Sequence, residues 1–69
     1  MTKHQYLIGS DSQDARAVHM SWEEVRELAV KKSGGIWRGQ DVYVSRKDGR
    51  GGVKRWMWRN GMLIRHSSE

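Results

Sequence analysis

Asn60-Gly61 sits between two runs of alternating character, Val53 to Arg59 and Met62 to His66. A two-residue type I′ turn needs positive φ at both central positions, and Asn followed by Gly tolerates this most readily. The dipeptide therefore predicts a β-hairpin. With two loop residues the register is fixed, with Arg59 opposite Met62, Trp58 opposite Leu63, Met57 opposite Ile64 and Trp56 opposite Arg65. One face of the hairpin then carries Val53, Arg55, Met57, Arg59, Met62, Ile64 and His66, and the other carries Lys54, Trp56, Trp58, Leu63 and Arg65. Both faces mix apolar with cationic side chains.

The preceding segments supply partners for that hairpin. Val42 and Val44 alternate with Tyr43 and Ser45, which predicts a strand, and Asp48-Gly49 with Gly51-Gly52 predicts the reversal into the next one. Ser21 followed by Glu24 is a capping box, with Met20 and Val25 placed for a hydrophobic staple. Glu23 and Glu24 suit the positive end of a helix, Lys31 and Lys32 suit the negative end, and Gly34-Gly35 stops it. Trp22, Val25, Leu28 and Ala29 fall on one stripe, so the helix has a single face to bury. Tyr6-Leu7-Ile8 ending at Gly9 reads as a first strand, Ser10 to Asp14 as a polar turn, and Arg16 to His19 as a brief strand pairing back. The expected fold is α+β: one amphipathic helix packed on a small antiparallel sheet, in the order β(β)αβββ. The chain is read as a single domain over residues 1–69, with 1–4 and 67–69 expected as frayed tails.

Size limits what such a domain can do. At 69 residues a domain buries only about 60% of its unfolded surface. With no Cys and four Trp, disulfides are excluded, no cysteine-held zinc is available as a staple, and the indoles must supply much of the core volume. No apolar run reaches the ~18 residues of a membrane span, and Met1 to Ser10 lacks the layout of a secretory signal, so a cytoplasmic protein without a membrane partner is expected.

Charge is distributed unevenly. Up to residue 35, Lys3, Arg16, Arg26, Lys31 and Lys32 balance Asp11, Asp14, Glu23, Glu24 and Glu27. From residue 36 onward, eight Arg or Lys face Asp41, Asp48 and Glu69, so the whole excess of +5 lies in the second half. Six of those eight are Arg, whose planar fork suits phosphate and carboxylate.

Two segments carry competing readings. Trp37, Trp56 and Trp58, with their cationic neighbours, suit a platform on which bases stack while guanidinium groups neutralise phosphate. A domain without Phe also needs indoles as core, and for Trp56 and Trp58 the core reading is the stronger. Trp56 opposite Arg65 would then be a cross-strand cation–π pair. Arg46-Lys47-Asp48-Gly49-Arg50-Gly51-Gly52 resembles an Arg-Gly loop that tracks a nucleic-acid backbone, although a hairpin connection alone accounts for its glycines. No Gly-Lys-Ser/Thr comes after it, so it is not a nucleotide phosphate loop.

Catalysis finds little support. His4, His19 and His66 are far apart in sequence, Asp11 and Asp14 are better read as a polar turn than as a cation site, and no nucleophile, base and oxyanion donors come together. A binding protein that is not an enzyme and needs no cofactor is expected. The leading reading is nucleic-acid binding, DNA or RNA, through a cationic carboxyl-terminal sheet and hairpin. Arg38, Arg46, Lys47, Arg50, Lys54, Arg55, Trp56, Trp58, Arg59 and Arg65 are its candidate contacts. The alternative is a protein-binding inhibitor or adaptor with Arg and Trp anchors, directed at an acidic partner or a nucleic-acid-handling complex. In size and layout, though in no particular residues, the chain looks like small phage-encoded proteins that interfere with host machinery, including some CRISPR inhibitors. A monomer or weak homodimer is expected.

Overall fold

The computed structural model describes residues 2–47 and 49–68. The chain runs through β1 (Lys3–Ser10), β2 (Gln13–Ser21), α1 (Trp22–Ser33), β3 (Val42–Lys47), β4 (Val53–Arg59) and β5 (Met62–Ser68). The five strands form one antiparallel sheet in the order β2-β1-β3-β4-β5, and α1 carries the chain across β1 from the β2 edge to the centre. This is the α+β arrangement that the sequence predicts, with the second strand much longer than Arg16–His19. Near the chain ends, Lys3 lies opposite Ser21, and Ser67 and Ser68 lie opposite Arg55 and Lys54; Met1 and Glu69, also within the tails expected to fray, lie outside the described residues.

Helix α1 begins as its residues dictate. The Ser21 hydroxyl accepts the Glu24 N–H at 3.3 Å, and the Glu24 carboxylate accepts the Ser21 N–H at 3.0 Å, which closes the capping box. Val25, Ala29 and Ser33 are buried, and Trp22 and Leu28 pack beside them, so the predicted stripe runs one turn further than expected. Gly34 caps the helix in a right-handed conformation rather than the left-handed one usual for a C-terminal glycine.

The core lies between α1 and one sheet face. Val25 and Ala29 meet Tyr6 and Ile8 of β1, Val42 and Val44 of β3, and Trp58 of β4. Successive strand residues point to opposite faces, so one alternation in each strand faces α1 and the other is uncovered. Within this core Ser33 makes a polar link: its hydroxyl donates to the Val30 carbonyl at 3.2 Å and accepts the Gly61 N–H at 3.0 Å. The helix end is thereby tied to the β4–β5 turn.

That turn forms as predicted, with φ of 51° at Asn60 and 82° at Gly61. Arg59 faces Met62 and Trp58 faces Leu63, but the register then shifts between Met57 and Trp58. Beyond this bulge Met57 lies opposite Arg65 and Trp56 opposite His66, so the expected Met57–Ile64 and Trp56–Arg65 pairs are replaced. One inserted residue exchanges the faces of those beyond it. His66 joins Trp56 on the helix side and Arg65 moves to the open side. A second irregularity lies between Ile8 and Ser10, where a Cβ on Gly9 would come within 2.9 Å of Ala15 Cα. Of the predicted β3–β4 reversal, Gly49 and Gly51 have positive φ, and Asp48 lies outside the described residues.

Candidate functional site

The helix does not cover its whole sheet face. Its final residue Ser33 reaches the β4–β5 turn, while its first residue Trp22 lies over Trp56, with ring centroids 4.5 Å apart. The sheet continues beyond that first turn, where Lys54 is the next residue of β4 on this face, beside Arg46 of β3. The uncovered remainder is a cleft of about 510 Å³ lined by Tyr6, Trp22, Arg46, Lys54, Trp56, Leu63 and His66. Among the described residues, no carboxylate stands in this lining.

Aromatic rings organise this cleft. His66 stacks on Trp56 with centroids 5.4 Å apart and planes within 5°, and Trp22 packs on the same indole at a 36° tilt. Tyr6 closes the floor, its ring centroid 6.3 Å from both Trp22 and Trp56. The Arg46 guanidinium lies over the Tyr6 ring at 5.9 Å, a cation–π contact. Its Nε is buried and has no hydrogen-bond partner among the described residues. Buried donors are rarely left in that state.

The predicted contact residues fall into five groups. Arg46, Lys54 and Trp56 meet in the cleft. Lys47 and Arg55 lie on the opposite, open face and, with His4, Gln5, Leu7, Ser45 and Val53, line a second groove where β1 and β3 diverge; Arg46 borders this groove as well as the cleft, and the bulge brings Arg65 to the open side. Trp58 is 1% exposed and belongs to the core, which removes it from the contact set. Arg59 forms an ion pair with Asp41, nitrogen to oxygen 2.7 Å, so its charge is neutralised locally. Arg38 is exposed in the α1–β3 connection and Arg50 in the β3–β4 loop, away from either groove's lining. Trp37 packs against the core from that same α1–β3 connection with the Lys32 ammonium 5.1 Å from its ring, so it is no part of a platform on the sheet. The single cationic surface expected from the sequence is thus divided between two faces.

Asp41 also belongs to a network that pins the β1–β2 turn. Asp11 accepts the Asp41 N–H at 3.0 Å and the Tyr43 hydroxyl at 2.9 Å, while Gln40 Oε1 accepts from the Ser12 N–H and hydroxyl at 3.1 and 2.7 Å. The Asp41 N–H, the Tyr43 hydroxyl and the nearby Arg59 hold the Asp11 carboxyl below its ordinary range. Asp11 in turn raises the Tyr43 phenol. These contacts account for Asp11 as a structural residue. Among the described residues there is no cluster of three His, Cys, Asp or Glu able to hold a metal ion, and no helix long and apolar enough to cross a membrane.

Tyr6, Trp22, Leu63 and His66 line the cleft but are absent from the predicted contact set. Trp22 and Tyr6 read from the sequence as ordinary core positions, and the simple hairpin register puts His66 on the opposite face because nothing in the sequence signals the bulge. The chain matches no family model, and comparison with curated proteins and with solved structures found no match.

Proposed function

We propose that the protein is a nucleic-acid-binding module that engages single strands through the β3–β4–β5 half of its sheet. The observation that carries this reading is one of charge: these three strands hold Arg46, Lys47, Lys54, Arg55, Arg59 and Arg65 and not one Asp or Glu. Of the six, Arg59 has its charge matched by the Asp41 carboxylate in the ion pair described above. A sheet face left open by the helix, edged by Lys47, Arg55 and Arg65, suits contacts along a phosphate backbone, which position a strand without reading its sequence. Exposed Leu7 and Tyr43 between them offer sequence-tolerant surface for bases.

Fluorescence anisotropy with labelled single-stranded DNA and RNA tests this directly. Neutralising about three phosphates at the open face gives a log affinity against log salt slope of about −2, at about −0.7 per phosphate for single strands. No binding of either strand at low salt would remove the reading.

A protein partner is the second reading, favoured by one observation. Met62, Leu63 and Ile64 follow one another on the edge strand β5 at 69%, 50% and 52% exposure, an apolar edge open to another chain. A pull-down from lysate separates the two: retention of one acidic protein after nuclease treatment favours the adaptor, and loss of all retained material favours nucleic acid.

A further inference from the structure

We infer that the helix-side cleft is a site for a single nucleotide, its base joining the Trp22–Trp56–His66 stack and its phosphate held by Arg46 and Lys54. The choice of ligand rests on the nucleic-acid reading; the site itself rests on separate observations on the other face of the sheet.

The lining selects the ligand by exclusion. Three half-buried or exposed ring systems, those of Trp22, Trp56 and His66, converge over the buried Tyr6 ring where the sheet outruns the helix, and their stack can be extended by a planar group. Cages that take cationic ligands use aromatic rings in the same way, but Arg46 and Lys54 stand in this lining and none of the described carboxylates joins them there, so a cation is repelled. A neutral aromatic ligand would leave both cations unused. The chemistry that satisfies rings and cations together is a planar base bearing an anion.

Arg46 supplies the independent argument. Its guanidinium is held against Tyr6, and its Nε donor is buried without an acceptor among the described residues. An oxygen acceptor delivered into the cleft would satisfy it, and phosphate presents several with geometry matched to the guanidinium fork. At about 510 Å³ the cleft also falls within the range of about 300–1,000 Å³ usual for small-molecule sites. The same chemistry has two sources: a free mononucleotide, or an unpaired nucleotide of a strand whose backbone runs over the edge strand β5.

The test uses the intact chain and the four indole N–H signals in ¹H–¹⁵N correlation spectra. Adenosine 5′-monophosphate is expected to shift the Trp22 and Trp56 signals and to leave Trp37 and Trp58 in place. Adenosine alone and inorganic phosphate alone should each bind at least tenfold more weakly. Arg46→Met and Lys54→Met should each weaken the mononucleotide at least tenfold with thermal unfolding unchanged. These two variants remove cations without opening the core, so they remain informative if Trp56→Leu fails to fold.

A single-stranded ten-nucleotide probe then identifies the source. If it shifts the same two indoles and is weakened by the same two variants, the strand supplies the nucleotide. If the mononucleotide binds in the cleft and no strand binds anywhere, the site stands with free nucleotides as its ligand and the nucleic-acid reading falls. If the strand binds with unchanged affinity to Arg46→Met and Lys54→Met and no mononucleotide shifts Trp22 or Trp56, the inference is overturned while the open-face reading survives. Equal binding of phosphate alone overturns it too, since the rings would then play no part.

Discussion

Trp58 and Trp56 lie two residues apart on the same strand and the same face, yet one is sealed in the core and the other lines an open cleft. The difference is set by the reach of α1. Its twelve residues span about 18 Å, enough to run from the β4–β5 turn to a position above Trp56 but not to Arg46 and Lys54. Under the helix, Val25 and Ala29 close over Trp58 and the packing is continuous. Past its first turn the same sheet face ends in rings and cations. One amphipathic stripe is therefore enough to stabilise a sheet of this width and too short to hide all of it, and a surface with binding character arises where it stops.

The comparison is broken most directly at the two indoles. Trp58→Ala should cost about 3–5 kcal/mol, a large share of the stability of so small a domain, read as a fall in the denaturant midpoint. Trp56→Ala should cost less than half of that and instead erase the ring contacts of the cleft. Equal losses at the two positions would mean that the cleft is as tightly packed as the core.

Ser33→Ala probes the other end of the helix. It leaves the Gly61 N–H without its acceptor inside the core, a loss of about 1–3 kcal/mol. If it proves neutral, the helix end is not what positions the β4–β5 turn. At the first turn, beside the cleft, Ser21→Ala removes half of the capping box and should cost about 1 kcal/mol. Because Trp22 is the next residue, that change should also broaden the Trp22 indole signal, whereas Ser33→Ala should not.

Acid sensitivity sharpens the comparison further. The Glu24 carboxyl is held below its ordinary range, first by the Ser21 backbone N–H and then by the Ser21 side chain. A lowered folded-state pKa gives stability that is present above the unfolded value and lost as pH falls through the folded one. Glu24→Gln keeps a residue able to close the capping box but removes this titration. Its unfolding curves should depend less on pH than wild type through the acidic range, and Asp11→Asn, which likewise removes a carboxyl of lowered pKa, should act in the same direction. The smallest effect is expected on the open face: Lys47→Glu with Arg65→Glu should leave far-ultraviolet circular dichroism unchanged and weaken strand binding, with a shallower salt slope. Arg59→Glu is a poor substitute there, since it also breaks the Asp41 ion pair.

Much of the fold can be read from short-range chemistry. The capping box of Ser21 and Glu24, the Val42–Val44 alternation and the Asn60-Gly61 turn each depend on residues close in sequence, and each appears where those residues place it. The extent of β2 is less legible, because Gln13 to Ser21 is mostly exposed and lacks a clean apolar alternation; β1 pairs with it along its length. Of the proposed contacts, Arg46, Lys54 and Trp56 share the cleft, while Arg59 is drawn to an acid eighteen positions upstream. No local pattern announces such a partner.

The sequence by itself determined the helix, the hairpin turn and the surplus of cations in the second half, because capping, backbone φ preference and charge belong to neighbouring residues or to composition. Only the tertiary structure decided which side of the sheet each cation occupies and which tryptophan is covered. Those outcomes depend on one inserted residue in β5 and on where a helix of fixed length comes to rest across the strands, and both are settled by packing between segments remote in the chain.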